Sequence, residues 1–224
     1  MRDLGRPDVL KSALLAGGLT ALACYPRVAD APGLRYPVWY LETLLFLGSI
    51  VLWAFVFAWH TEYSGRPVFT LHVGWRSFAL ATVLGVTVAA IVSMGDSALR
   101  ARTPHDYPSD LGQWFAMALF SLAFTELFLV FAPLAWLLRL SQRVGPAVLL
   151  TVVFGLFVLA AKNRAPPTPM PPGIMVGLVA YRICASLISV YLFLRGGLLL
   201  SWWWGLLIQS RHLFHLTDWA MLGG

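Results

Sequence analysis

Residues Val38–Trp59 read VWYLETLLFLGSIVLWAFVFAW. A helix rises about 1.5 Å per residue, and the hydrocarbon core of a bilayer is about 30 Å thick, so a run of this length and apolarity is long enough to cross. Four further segments read the same way: Ser77–Gly95, Trp114–Leu138, Val144–Ala161 and Ile174–Leu194. Two shorter ones, Ser12–Tyr25 and Gly197–Ser210, fit a tilted span, a re-entrant piece or an interfacial helix. Isolated strands leave backbone groups unsatisfied in lipid, so the expectation is an all-α, polytopic transmembrane helix bundle of about six or seven spans.

Composition agrees. Of 224 residues, 59% are apolar and only 12% charged, leaving too little polar surface for a water-soluble domain of this size. There is no internal repeat or low-complexity run, so residues 1–224 are read as a single integral membrane domain. The first 26 residues loosely imitate a signal peptide, but Lys11–Ala23 reads as an ordinary first membrane helix. Connections such as Ser97–Asp110 (SALRARTPHDYPSD) and Arg164–Gly173 (RAPPTPMPPG) carry prolines that cannot continue a helix. Tryptophans near the ends of the spans (Trp39, Trp59, Trp75, Trp114 and Trp202–Trp204) are expected at headgroup level.

The formal charge of +6 does not imply nucleic acid, because the basic residues are scattered singly through the loops without forming a patch. Membrane lipid headgroups are the expected counter-charge. With the N-terminus inside, Arg2, Arg6, Lys11, Arg66, Arg76, Arg139, Arg143 and Arg195 would face Arg27, Arg35, Arg100, Arg102, Lys162, Arg164 and Arg211, too small an imbalance to fix orientation. Cys24 and Cys184 lie in or beside apolar segments, where a free thiol behaves as a small hydrophobe.

An ionisable side chain within a span costs about 2.5–3.5 kcal/mol even on lenient scales, so one found there has a partner or a function. Glu126 and Arg182 are in that position. The structural reading is a Glu126–Arg182 ion pair that fixes packing; the functional reading makes Glu126 a catalytic or ion-handling carboxylate. Ser186 and Ser189 follow Arg182 at helical spacing, giving a polar stripe of Arg182, Ser186 and Ser189 that turns away from lipid. His212, His215 and Asp218 would be neighbours on a helix, but they read as a solvated helix end rather than a metal site, as does His60 with Glu62. No phosphate-binding glycine loop, nucleophile motif or paired-cysteine motif is present, and neither a cofactor nor a metal is expected.

From about Trp114 onward the layout resembles the CPBP (Abi) family of intramembrane glutamic proteases, relatives of the CAAX prenyl endopeptidases. Phe124–Phe131 (FTELFLVF) stands where that family has Glu-Glu-x-x-x-Arg, Phe157–Ala161 (FVLAA) where it has Phe-x-x-x-His, and LRGGLLLSWWWGLLIQS where its third motif lies. The resemblance implies a CPBP-like core over 114–210 and, were the site active, Glu126 as its catalytic residue. It also implies losses: Thr125 replaces the glutamate that activates water, Val130 the arginine, Ala161 the second-motif histidine, and Leu206 and Ser210 the third-motif pair. The expected function is therefore a non-catalytic membrane subunit that binds transmembrane helices of partner proteins. An active peptidase using Glu126, and a transporter or ion-handling protein using Glu126 and Arg182, are the alternatives. A multi-pass protein of this kind is expected in the bacterial inner membrane.

Overall fold

Each long apolar segment forms a helix, the conformation that satisfies its own backbone groups where no water is present. The computed structural model describes residues 3–30, 35–70, 72–162, 171–214 and 216, among which there is no strand. Six helices are long and apolar enough to cross a membrane: α1 (Pro7–Ala29), α2 (Val38–Ser64), α3 (Trp75–Arg100), α4 (Leu111–Ser141), α5 (Val144–Lys162) and α6 (Pro172–Phe214). The chain is thus a multi-pass integral membrane protein. Ser12–Tyr25 proves to be the centre of the full-length helix α1, begun by Pro7, whose missing N–H costs nothing in a first turn.

Helix α6 is too long for one crossing and is folded back on itself. Gly196 (φ −141°, ψ 15°) and Gly197 (φ 66°, ψ −161°) leave helical geometry. Beyond them the chain returns beside its own first limb, so that Trp204 Nε1 donates to Ser189 Oγ at 3.1 Å. The returning limb runs alongside α3 in the same direction. Arg195 Nε donates to Ser77 Oγ (2.9 Å), Trp203 Nε1 to Thr82 Oγ1 (2.9 Å), and Arg211 Nε to Asp96 Oδ2 (3.2 Å). Gly197–Ser210 is therefore a returning helix packed within the bundle.

A break of this kind exposes backbone groups, and the α2–α3 connection covers them. Arg66 Nη1 donates to the Leu194 carbonyl, and the Leu198 amide donates to the Val68 carbonyl at 2.9 Å. A Cβ on Gly197 would lie 2.5 Å from that same carbonyl oxygen, so both the positive φ and the close approach require glycine.

The bundle has two ends, one at the start of α1, the end of α2 and the Gly196–Gly197 turn, the other at the ends of α3 and α5 and the start of α4. We call them the N-terminal and C-terminal sides. The larger apolar core lies toward the N-terminal side, where Trp59, Leu127, Phe131, Leu134, Leu138, Phe193 and Leu198 are buried. A smaller one, with Ala81, Leu192, Leu200 and Trp204, joins α3 to both limbs of α6. Apolar side chains such as Leu22, Met94 and Phe157 point outward, as a lipid-facing surface requires. Trp39 and Trp75 are exposed and suit headgroup level, but Trp59 and Trp204 are buried: the first lies 4.4 Å from the Arg139 guanidinium, and the second bonds to Ser189.

Candidate functional site

Glu126 sits between two π-helical turns of α4, Ser121–Thr125 and Leu127–Phe131. Pro133 lies just beyond them, and its ring removes an N–H and crowds the carbonyl four residues earlier, a strain that a widened turn relieves. Such turns are frequent at functional sites because they re-aim side chains. Here Glu126 Oε1 accepts from Ser189 Oγ at 3.5 Å, the weak limit of a hydrogen bond, while Ser189 accepts from Trp204. Glu126 Oε2 is sequestered without a hydrogen-bond partner.

Arg182 is close enough for its charge to act on Glu126, but the two do not form the ion pair the sequence reading anticipates. Its Nε and Nη2 are buried and unpartnered, and the guanidinium lies against Gly155 of α5, where a Cβ would stand 2.8 Å from Nε. Seven positions along α6, about 10 Å of rise, divide Arg182 from Ser189, and the Arg182 guanidinium is turned against Gly155 of α5 rather than onto the carboxylate. Ser186, between them, is buried with its Oγ unpartnered. Among the described residues, Ser189 and the Arg182 charge act on Glu126, Glu126 in turn acts on the Tyr181 phenol, and none of these is a histidine.

A second polar cluster, not singled out from the sequence, lies at the C-terminal side. Asp96 is buried near the end of α3, accepting from Tyr107 Oη at 2.8 Å and pairing with Arg211 at 3.2 Å. Burial and the hydrogen bond to Asp96 push the Tyr107 phenol up from its ordinary value, so it stays protonated and donates. His212 packs edge-on to Tyr107 with 4% of its surface exposed, which overturns the expectation of a solvated helix end there. His215 and Asp218 lie outside the described residues, and no three potential metal ligands come together among those described. His60 is likewise buried, in a π-helical turn of α2 against Phe193. Glu42 of α2 likewise has its Oε2 sequestered without a hydrogen-bond partner. Nothing in a hydropathy profile separates these residues from a polar helix end.

A polar cavity and an apolar groove open on the surface formed by the described residues. The polar cavity, of about 330 Å³, lies beside the second cluster, lined by Arg27, Asp30, Tyr107, Ser109 and Gln113. The apolar groove, of about 460 Å³, runs between α2, α4 and α5, with Ala132 and Pro133 flanked by Phe55, Phe128, Trp136 and Phe154. The positions aligned with the CPBP motifs do not gather around Glu126 as a polar set. Val130 is in the apolar core, Ala161 is exposed near the end of α5, and Ser210 Oγ bonds its own helix at Leu207. No family model matches the chain, and no curated protein or solved structure matches it.

Proposed function

We propose that the protein is a non-catalytic membrane subunit of CPBP-like layout over 114–210, which binds a partner's transmembrane helix in the groove between α2, α4 and α5. The observation that carries this reading is the environment of Glu126. Activating water takes a carboxylate with a proton-sharing or oxyanion-stabilising group beside it. Glu126 has a serine hydroxyl at 3.5 Å and an arginine charge farther off, and among the described residues neither a second carboxylate nor a histidine acts on it. The groove supplies the binding half of the reading. Helices in lipid associate through close van der Waals packing at small residues, and Ala132 with Pro133 forms a shallow strip between aromatic walls that a ridge of side chains can enter. The bacterial inner membrane is the location consistent with this reading.

The test uses purified protein in detergent and in liposomes, presented with transmembrane and prenylated peptides. No cleavage is expected, and Glu126→Gln is expected to change thermal stability rather than a turnover number. Reproducible cleavage by the wild type that Glu126→Gln abolishes, with folding intact, would replace this reading with an active intramembrane peptidase.

A further inference from the structure

We infer that the polar cavity on the C-terminal side binds a zwitterion made of a primary ammonium and a phosphate, and that this zwitterion is the headgroup of an ethanolamine phospholipid. The inference rests on neither the groove between α2, α4 and α5 nor Glu126.

The cavity lies where three elements meet. Arg27 stands in the last turn of α1 and Asp30 caps that helix; Tyr107 and Ser109 belong to the α3–α4 connection, and Gln113 to the first turn of α4. One turn farther along α4, Ala116 gives the cavity an apolar wall. A volume of about 330 Å³ is at the small end of the range for ligand pockets, about 300–1,000 Å³, and suits a small polar group rather than a helix.

The lining sorts by what it has left to offer. Tyr107 Oη gives its one proton to Asp96 at 2.8 Å, and Ser109 Oγ gives its proton to Asp110 at 3.2 Å, so both oxygens present lone pairs to a ligand. Asp30 adds a carboxylate that has no side-chain partner among the described residues. These acceptors, one of them negatively charged, match the three N–H donors of a primary ammonium. A quaternary ammonium has no N–H to give them and is held by aromatic faces instead. The donor side is equally defined. Gln113 Oε1 accepts from the Ser109 amide at 3.0 Å, which leaves the Nε2 end of that side chain for a ligand. Arg27 brings a guanidinium with five N–H donors, enough to serve a phosphate beside any other contact. With one cation and one anion in the lining, a ligand of single charge would leave one of them uncompensated, whereas a zwitterion satisfies both.

These groups are held in place before a ligand arrives, which lowers the ordering cost of binding. Tyr107 is fixed by buried Asp96, itself paired with Arg211, and by His212 packed against its ring. Ser109 and Gln113 are tied to Asp110, the cap of α4. The location selects the source of the zwitterion. The cavity is at the ends of spans α1 and α3 and the beginning of α4, next to Trp114, which is headgroup level, where phospholipid phosphate and ammonium groups are concentrated.

The test follows thermal unfolding of the purified protein in detergent on addition of short-chain phosphatidylethanolamine, phosphatidylcholine or phosphatidylglycerol with the same acyl chains, or of water-soluble phosphoethanolamine. Phosphatidylethanolamine is expected to raise Tm saturably, at concentrations about tenfold or more below those needed of the other two lipids. Asp30→Asn and Arg27→Gln are each expected to weaken this effect by about tenfold or more, the scale of one charge-assisted hydrogen bond. Asp8→Asn, the matching change at the opposite end of α1, is expected to leave it as it is. Circular dichroism and the Tm without lipid establish that the variants are folded. Saturation by phosphoethanolamine at the same concentration as the lipid would overturn the choice of a lipid ligand. Equal effects of phosphatidylcholine or phosphatidylglycerol, no saturable effect of any of the four, or an unchanged response in folded Asp30→Asn and Arg27→Gln would overturn the site itself.

Discussion

Trp204 and Ser189 are hydrogen-bonded at 3.1 Å although 15 residues separate them, a span that an unbroken helix would stretch to about 22 Å. This bond joins the two limbs of α6, and Ser189 also faces Glu126. Interhelical hydrogen bonds in bilayers average about 0.6 kcal/mol and reach about 1.7 kcal/mol. A double-mutant cycle of Ser189→Ala and Trp204→Phe, read by reversible unfolding in mixed micelles, is expected to give coupling within that range. Strict additivity would mean that the limbs are held by packing alone.

Gly196 and Gly197 break the same helix but differ in what they tolerate. At Gly197 a side chain meets both a φ of 66° and the Val68 carbonyl oxygen at 2.5 Å; at Gly196, where φ is negative, it meets only side-chain atoms of Leu200, the nearest being Cδ2 at 2.8 Å. Gly197→Ala is expected to cost about 2–3 kcal/mol and Gly196→Ala about 1 kcal/mol or less. Thermal unfolding of the two variants side by side measures the difference, and equal losses would contradict it.

How much of this was legible can be judged residue by residue. Val38–Trp59 and the other strong segments announce spanning helices because length and apolarity are one-dimensional properties, and Glu126 stands out as a charge in such a run. Ser189, its hydrogen-bond partner, stands out in the polar stripe with Arg182, but which of the two meets the carboxylate has no sequence signal. Residue type alone pairs Glu126 with Arg182, but the depth of each side chain is set by the α6 fold and by the π-helical turns, neither of which has a periodic signature. Asp96 carries no signal of its own, and His212 reads as a solvated helix end, for a related reason. Both lie near the ends of helices, where hydropathy treats them as solvated, and only the packing of α3 against the returning limb buries them.

Gly155 lets the Arg182 guanidinium lie against α5. Gly155→Leu would have to displace it, so the substitution is expected to cost about 1–3 kcal/mol through overpacking, with much of that cost absent when Arg182 is already alanine. Stability measured for the two single variants and the double variant tests this. A cost unchanged in the Arg182→Ala background would place the strain elsewhere.

Asp110 caps α4, accepting from the Gln113 amide at 2.8 Å, while the Gln113 side chain accepts from the Ser109 amide at 3.0 Å. The Gln113 amide hydrogen bond holds the Asp110 carboxyl below its ordinary value of 3.8. A depressed carboxyl stabilises the fold above its unfolded pKa, and that contribution is lost as pH falls through the folded one. Stability that depends on this cap is therefore expected to be flat above about pH 4 and to decline below it. In Asp110→Asn, which can still accept the hydrogen bond but does not titrate, the decline should be smaller; an identical acid profile would remove Asp110 from the account.

Asp96 and Arg211 form the most buried ion pair among the described residues, with side-chain exposures of 1% and 14%. Breaking such a pair from one side leaves a charge with too few partners in a medium that solvates it poorly, which costs about 3–5 kcal/mol. Asp96→Ala would orphan the Arg211 Nε and deprive the Tyr107 hydroxyl of its acceptor as well, so its cost is expected near the top of that range. Arg211→Met leaves Asp96 bonded to Tyr107 and should cost less. Removing both charges together tests the electrostatic account directly, because a buried pair replaced by apolar groups of similar volume is often neutral or stabilising. Asp96→Leu combined with Arg211→Met is accordingly expected to recover much of the stability lost in Asp96→Ala, as read by thermal unfolding in detergent. A double variant no more stable than Asp96→Ala would show that the hydrogen-bond geometry at Tyr107, rather than the balance of charge, holds the returning limb of α6 against α3.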